Sequence, residues 1–119
     1  AGDPHNAWAN TLKTLAGEPV GVEFATAGVT SPGLESYLGL PAAAIPQAEQ
    51  AITLLVDELQ YLNASQRGYL VVTFTEDQAR ADWRFVSTVK ARDYVIDDAR
   101  SKALITLPGK VNRVINPAT

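Results

Sequence analysis

The strand arrangement is decided by residues 69–89, which read YLVVTFTEDQARADWRFVSTV. β-Branched and aromatic residues are concentrated in Tyr69–Thr75 and in Trp83–Val89, a composition that is typical of β-strands. The connector between them begins with Thr75 and has Gln78 three residues later, a capping-box pattern that predicts one short helical turn. Two strands joined by so short a connection are expected to pair as an antiparallel hairpin.

The stretch before this hairpin has the clearest helical periodicity in the chain. Pro46 suits the first turn of a helix, where its missing N–H is not needed. We therefore predict an amphipathic helix over residues 46–62, packed against one side of the strands. Its apolar side chains recur at steps of three or four residues: Ala48, Ile52, Leu55, Leu59 and Leu62.

Two further elements are predicted nearer the amino terminus. Val20–Thr26 alternates apolar and other residues with a period of two, so we expect a strand close to the hairpin. Within residues 1–18, Trp8, Leu12 and Leu15 lie at positions i, i+4 and i+7. This spacing predicts a short helix with one apolar stripe.

The carboxy-terminal residues have a weaker pattern, in which Tyr94–Ile96 and Ala103–Leu107 are compatible with short strands. The fold class expected from all these elements is α+β, with antiparallel strands and packed helices. The 119 residues are too few for two ordinary domains, so we expect a single unit. Its parts would be residues 1–18 with the first helix, 19–89 with strand, helix and hairpin, and 90–119 as a carboxy-terminal extension.

Composition and charge exclude several classes of protein. Apolar residues make up 46% and charged residues 19% of the chain, as in globular proteins. The formal charge of −3 argues against the basic surface that nucleic-acid binding requires, so no nucleic-acid partner is expected. No apolar run is long enough for a membrane span, and the first residues do not have the pattern of a signal sequence. Without cysteine, the chain forms neither disulfides nor thiolate metal sites.

The chain also contains no methionine, not even at position 1. Polar residues with useful chemistry stand among its first six positions, where a complete domain usually keeps a dispensable tail. Together these features predict a processed product, or a piece cut from a longer polypeptide.

The residues best able to carry chemistry are Asp3, His5 and Asn6. In an extended or turning segment, Asp3 and His5 project to the same side, where both could face one cation. A structural alternative remains open, in which this is a polar turn and Asp3 or Asn6 caps the helix that contains Trp8. No phosphate-binding glycine loop, nucleophile elbow or paired zinc-ligand motif is present elsewhere.

Three separated segments together resemble one family. Residues 2–10 read GDPHNAWAN and resemble the G-D-x-H-N-x-W motif of the phosphodiesterase/alkaline phosphatase D (PhoD-like) group of secreted metallophosphatases. Residues 22–33 read VEFATAGVTSPG and resemble its E-F-x-x-x-x-V-T-S-P-G segment. Residues 67–75 and 79–89 resemble its terminal R-G-Y strand and its A-D-W-x-F-V strand. The order and spacing agree over most of residues 2–89.

This resemblance implies the carboxy-terminal portion of a metallophosphoesterase-like fold and a larger parent enzyme that continues upstream. It implies that the parent hydrolyses phosphate esters with a binuclear site of iron and calcium, in the periplasm or outside the cell. By this resemblance His5 carries over as a metal ligand, and Asp3 and Asn6 each carry over as a further ligand or as a residue that supports one. The other ligands of the family, a cysteine and several carboxylates, belong to the upstream part, so this chain cannot build the binuclear site alone.

For the isolated chain we therefore expect no phosphatase activity, no tightly bound metal, and self-association. The association would follow from exposed strand edges such as Val20–Thr26 and from exposed apolar side chains such as Leu55, Leu59 and Leu62. Self-association would be avoided if residues 90–119 folded back over the open edge. The alternative function is a non-catalytic interaction or assembly module that keeps the carboxy-terminal fold of the family.

Overall fold

A computed structural model describes residues 1–109 and 111–118 of the chain. It contains two three-stranded antiparallel sheets and two α-helices, so the expected α+β class is confirmed. The strand orders are β2-β1-β3 in the first sheet and β4-β5-β6 in the second. The elements are β1 (Ala7–Lys13), β2 (Pro19–Ala25), α1 (Leu34–Leu38), α2 (Ile45–Leu55, preceded by a 3₁₀ turn over Ala42–Ala44), β3 (Leu59–Asn63), β4 (Gly68–Phe74), β5 (Ala79–Phe85) and β6 (Lys102–Thr106).

The predicted hairpin is present as β4 and β5, which pair in continuous register from Gly68 opposite Phe85 to Phe74 opposite Ala79. The second strand starts at Ala79, earlier than predicted, because the connector is a tight turn and not a helical one. The Thr75 hydroxyl accepts the backbone N–H of Gln78 at 3.1 Å, as a helix cap would. However, the N–H of Thr75 donates to the carbonyl of Gln78 at 2.9 Å, and this bond closes a hairpin instead.

The main core lies between the two sheets and is centred on Trp83 of β5, which is 1% exposed. Ala7 and Ala9 of β1 lie in the same core and are fully buried, so their small side chains let the sheets approach closely. The Trp83 indole donates to the carbonyl of Ala25 at 2.7 Å and meets the Phe24 ring edge-on at a centroid distance of 5.7 Å. Trp83 therefore joins the second sheet to the end of β2 by both packing and a hydrogen bond.

The predicted helix around Trp8 is wrong, because this segment is β1, the central strand of the first sheet. Pairing with β2 on one side and β3 on the other satisfies its backbone polar groups, which a lone short helix would not achieve as well. The apparent helical stripe is accidental. Leu15 lies beyond the strand and is fully exposed, and Leu12 is 38% exposed.

The helix predicted over 46–62 is correct for its first part only. α2 ends at Leu55, Val56 is extended, and Leu59–Asn63 forms β3. Residues three apart normally face opposite sides of a strand, yet Leu59 and Leu62 are buried in one cluster. The register of β3 against β1 shifts between Ala9 and Asn10, and this β-bulge turns both leucines to the same face. Because of the bulge, two residues with helical spacing share one buried face of a strand.

Leu59 and Leu62 are accordingly buried beneath α2, where the partly buried Ile52 packs against them, so the expectation that they are exposed is wrong. Of the three leucines expected to be exposed, Leu55 is exposed, at 84%. The carboxy-terminal segment does return to a sheet edge. Ile115 exchanges two 2.9 Å backbone hydrogen bonds with Ile105 at the outer side of β6. It therefore covers β6, and not the Val20–Thr26 edge or the edge of β4.

Candidate functional site

The GDPHN segment forms a turn in front of β1. The N–H of His5 donates to the carbonyl of Gly2 at 3.4 Å, and His5 has a φ of +59°. This left-handed conformation is uncommon for a residue with a side chain, and such residues are concentrated at functional sites. The turn is also fixed to β2, because Ala1 donates to the carbonyl of Phe24 at 2.9 Å and accepts from the N–H of Thr26 at 2.9 Å.

Asn6 holds the turn in this shape. Its side-chain amide donates to the carbonyl of Pro4 at 2.9 Å, and its amide oxygen accepts the N–H of Leu34 at 2.9 Å. Asn6 is 7% exposed, so both bonds are shielded from solvent. The structural alternative, in which Asp3 or Asn6 caps a helix around Trp8, is wrong because that segment is a strand; Asn6 instead accepts the first N–H of α1 from a distance of 28 residues in sequence.

Asp3 and His5 lie on the same turn, with Asp3 exposed and His5 half-buried. Among residues 1–109 and 111–118, no group of three or more His, Cys, Asp or Glu side chains is placed to share a metal ion. An imidazole nitrogen and a carboxylate oxygen are suitable donors for iron, whereas calcium takes six to eight oxygen ligands. The structure places Asp3 and His5 on one turn, and the described residues do not form a complete metal site.

A buried ion pair that the sequence analysis did not identify lies next to Asn6. The Arg67 guanidinium contacts the Glu35 carboxylate and also donates to the carbonyl of Ser65 at 3.0 Å. The Arg67 side chain is 8% exposed and that of Glu35 is 17% exposed. Two atoms of this pair, Arg67 Nε and Glu35 Oε2, are buried without a hydrogen-bond partner. Arg67 belongs to the R-G-Y segment, but a motif in sequence does not reveal that the charge beside the strand is buried.

Gly33 allows this polar cluster to close. A Cβ at Gly33 would lie 2.7 Å from Glu35 Oε2 and 2.9 Å from both Asn6 Oδ1 and the carbonyl of Ala64. These distances leave no room for a side chain. Gly33, in the T-S-P-G segment, therefore lets the His5 turn, the start of α1 and the Glu35–Arg67 pair meet.

A cavity of about 560 Å³ opens beside the Glu35–Arg67 pair, between the start of α2 and the segment that follows β5. Beneath it, the buried Glu49 carboxylate accepts from Arg100 at 2.8 Å and from the N–H of Ala64 at 2.6 Å. Gln66 joins this network by donating to Asp97 at 2.8 Å and accepting from Arg100 at 3.2 Å. Neither Asp3, His5 nor Asn6 lines the cavity, so it is separate from the turn.

The comparison with protein families identifies the chain. The family model described as PhoD-like phosphatase matches residues 1–83, which include the His5 turn, the Gly33 segment and the hairpin as far as Trp83. This match covers more than half of the chain, so the chain belongs to the PhoD-like phosphatase family. No curated protein and no solved structure gives a significant match. Within the described part of the chain, neither α-helix has the length and apolarity needed to cross a membrane.

Proposed function

We propose that this chain is the carboxy-terminal portion of a phosphatase that hydrolyses phosphate esters at a binuclear metal site. The observation that carries the proposal is the family match over residues 1–83, because it includes the GDPHN segment. The fold of the whole parent would be metallophosphoesterase-like, with the remaining metal ligands supplied by polypeptide outside these residues. By resemblance, the metals are iron and calcium and the enzyme acts in the periplasm or outside the cell.

In this proposal His5 holds a metal ion and Asp3 orients His5 or shares the cation. A site of this kind polarises the phosphoryl oxygen and generates hydroxide near neutral pH. The left-handed backbone of His5, which Asn6 follows in the same turn, supports this role because such conformations are concentrated at functional sites. Asn6 would then position His5 without contacting the metal itself.

The test is the full-length parent with His5→Ala. We expect phosphatase activity to fall by at least about a hundredfold and bound metal to decrease, since loss of one ligand weakens a metal site strongly. Asn112→Ala is the matched control, because Asn112 also has a positive φ, +43°, but lies outside the turn. Full activity and full metal content in the His5 variant would overturn the assignment.

The isolated 119 residues are proposed to be inactive and to self-associate. β4 supports association, because it is an edge strand without a charged residue, and Tyr69, Val71 and Phe74 on it are 51%, 45% and 78% exposed. Light scattering that gives a mass near 12.7 kDa at micromolar concentration would contradict association. Turnover of an aryl phosphate with added iron and calcium would contradict inactivity.

The same strand edge favours the second candidate function, a non-catalytic assembly module. The two functions differ in what lies upstream in the parent. Cysteine and carboxylate ligand motifs there would support the phosphatase, whereas a short tail without them would support the module.

A further inference from the structure

We propose that the outer edge of β4 pairs with β4 of a second copy of this chain, antiparallel and about a two-fold axis at Val72. The β4-β5-β6 sheets of the two copies then form one continuous sheet. The proposal rests on the proposed self-association and names the surface that carries it. It requires neither a metal nor phosphatase activity.

The hydrogen bonds at the two ends of the hairpin show which backbone groups of β4 face β5. The carbonyl of Arg67 accepts the N–H of Val86 at 2.9 Å, and the N–H of Thr75 donates to the carbonyl of Gln78 at 2.9 Å. Both of these residues are odd-numbered, and the register between them is continuous. Because the hydrogen-bonding direction alternates along an antiparallel strand, the odd-numbered residues of β4 point their N–H and C=O groups toward β5. The even-numbered residues point theirs to the outer edge.

Only the beginning of this outer edge is covered in the described part of the chain. The N–H of Gly68 donates to the carbonyl of Gly28 at 3.3 Å. The outward N–H and C=O groups of Leu70, Val72 and Phe74 have no hydrogen bond to any described residue. At the other edge of the sheet the carboxy-terminal segment pairs with β6, so the edge at which the sheet can grow is β4.

A second copy matches this open row in one register. Val72 is the middle residue of the row, so when the Val72 residues of two antiparallel copies lie opposite each other, each Leu70 lies opposite a Phe74. Every open N–H then meets an open carbonyl. A shift of two residues along the strand would leave open groups on both copies, so the central register is the one that satisfies the row.

The side chains fit the same arrangement. Leu70 and Val72 lie opposite Trp83 and Ala81 of β5, which are both buried, so the even-numbered residues of β4 face the core. Leu70 packs against that core, but Val72 and Phe74 are 37% and 78% exposed. In the dimer each Phe74 packs against Leu70 of the other copy and loses exposed apolar surface. β4 contains no charged residue that would oppose this contact.

Charges beyond the two ends of β4 complement each other across the two-fold axis. Glu76 and Asp77 are exposed at the tip of the hairpin. At the other end of β4, the segment that contains the exposed Lys90 and Arg92 lines a pocket of about 410 Å³ together with Gly68. Antiparallel pairing brings the acidic tip of each copy beside this basic segment of the other. Such complementarity favours a copy of the same chain as the partner.

The experiment combines sedimentation equilibrium of the isolated chain with amide hydrogen exchange at low and high protein concentration. We expect the mass to rise from 12.7 kDa to about twice this value and no further, because the pairing consumes the open edge. The Kd should lie at about 1–100 μM, as for a small interface. On dimerisation, hydrogen exchange at the amides of Leu70, Val72 and Phe74 should slow by at least about tenfold. The odd-numbered amides of β4 are already bonded to β5 and should change little.

Two variants test the interface, and a third is the control. Val72→Pro removes the central outward N–H at an edge position, where proline is tolerated, and should weaken dimerisation by at least about tenfold. Phe74→Ser removes an exposed ring without changing the backbone, so it keeps the test valid if proline disturbs the hairpin; it should weaken dimerisation by a similar factor. Leu55→Ser is the matched control, since Leu55 is an exposed apolar residue on α2, and its Kd should equal that of the wild-type chain. Circular dichroism checks that each variant is folded.

Four results would overturn the proposal. A chain that stays monomeric at about 500 μM would contradict self-association as well. A dimer that Leu55→Ser weakens and Phe74→Ser does not would keep self-association but place it on α2. Slow exchange of the outward β4 amides in a monomer would show that a segment of the same chain covers the edge. A mass that grows beyond the dimer would show open-ended association and not a two-fold pair.

Discussion

Replacing Asn6 with alanine tests whether one buried amide holds the His5 turn. The substitution removes two hydrogen bonds of 2.9 Å, one to the carbonyl of Pro4 and one from the N–H of Leu34. It also leaves that carbonyl and that N–H without their partner in a region where Asn6 itself is 7% exposed. His5, which has a φ of +59°, stands directly before Asn6 and between the residues that these bonds hold, so its left-handed backbone loses its support.

The expected loss of stability follows from these contacts. Each of the two buried hydrogen bonds contributes about 1 kcal/mol. The free energy of unfolding should therefore fall by about 2 kcal/mol in Asn6→Ala. For a chain of this size, 1 kcal/mol corresponds to roughly 3–6 °C, so the midpoint of thermal unfolding should fall by about 6–12 °C.

Two variants make the measurement specific. Asn6→Asp keeps an acceptor for the N–H of Leu34 and loses the donor to Pro4, so it should lie between wild type and Asn6→Ala. Asn116→Ala removes an exposed asparagine and should stay within about 0.5 kcal/mol of wild type. Thermal unfolding by circular dichroism gives the stability, and amide shifts at His5 and Leu34 report the turn. An Asn6→Ala chain as stable as wild type, with unchanged shifts, would refute the role given to Asn6.

Two further predictions concern the sheets. In Gly68→Ala, the new Cβ would lie 1.9 Å from the carbonyl oxygen of Arg84, so the start of the hairpin must move. We expect the free energy of unfolding to fall by more than about 3 kcal/mol. Gly21→Ala, where nothing lies within 4 Å of the new Cβ, is the control in the same unfolding measurement. Burial raises the pKa of Tyr61 above its ordinary value of about 10. Above that pH the folded chain keeps the hydroxyl proton while the unfolded chain releases it, so the free energy of unfolding should fall as the pH rises above about 10. Tyr61→Phe should reduce this loss and cost little at pH 7, since the Tyr61 hydroxyl is buried without a partner; an unchanged pH dependence would contradict the reasoning.

Much of the site could be predicted from the sequence because its residues lie in short contiguous segments. The GDPHN segment, the T-S-P-G segment and the hairpin are contiguous patterns, and the family match includes the first two and the hairpin through Trp83. The sequence-based alternative for Asn6, a cap on a helix around Trp8, was wrong. The partner of Asn6, the N–H of Leu34, lies 28 residues away, and no local pattern indicates a partner at that distance.

The errors arose where backbone pairing outweighed side-chain periodicity. Trp8, Leu12 and Leu15 have helical spacing, but Ala7–Lys13 is a strand because neighbouring strands satisfy its backbone on both sides. Leu59 and Leu62 have helical spacing as well, and a β-bulge places them on one face of β3.

The sequence by itself determined the family, the α+β class, the antiparallel hairpin and the residues of the His5 turn. Only the tertiary structure decided that a strand precedes β2, that Glu35 and Arg67 form a buried pair, and that a polar cavity opens beside Arg67. The physical reason is the range of the interactions involved. Turns, caps and strand propensities depend on residues close together in the chain, whereas strand pairing and the burial of charge depend on segments that meet only when the chain has folded.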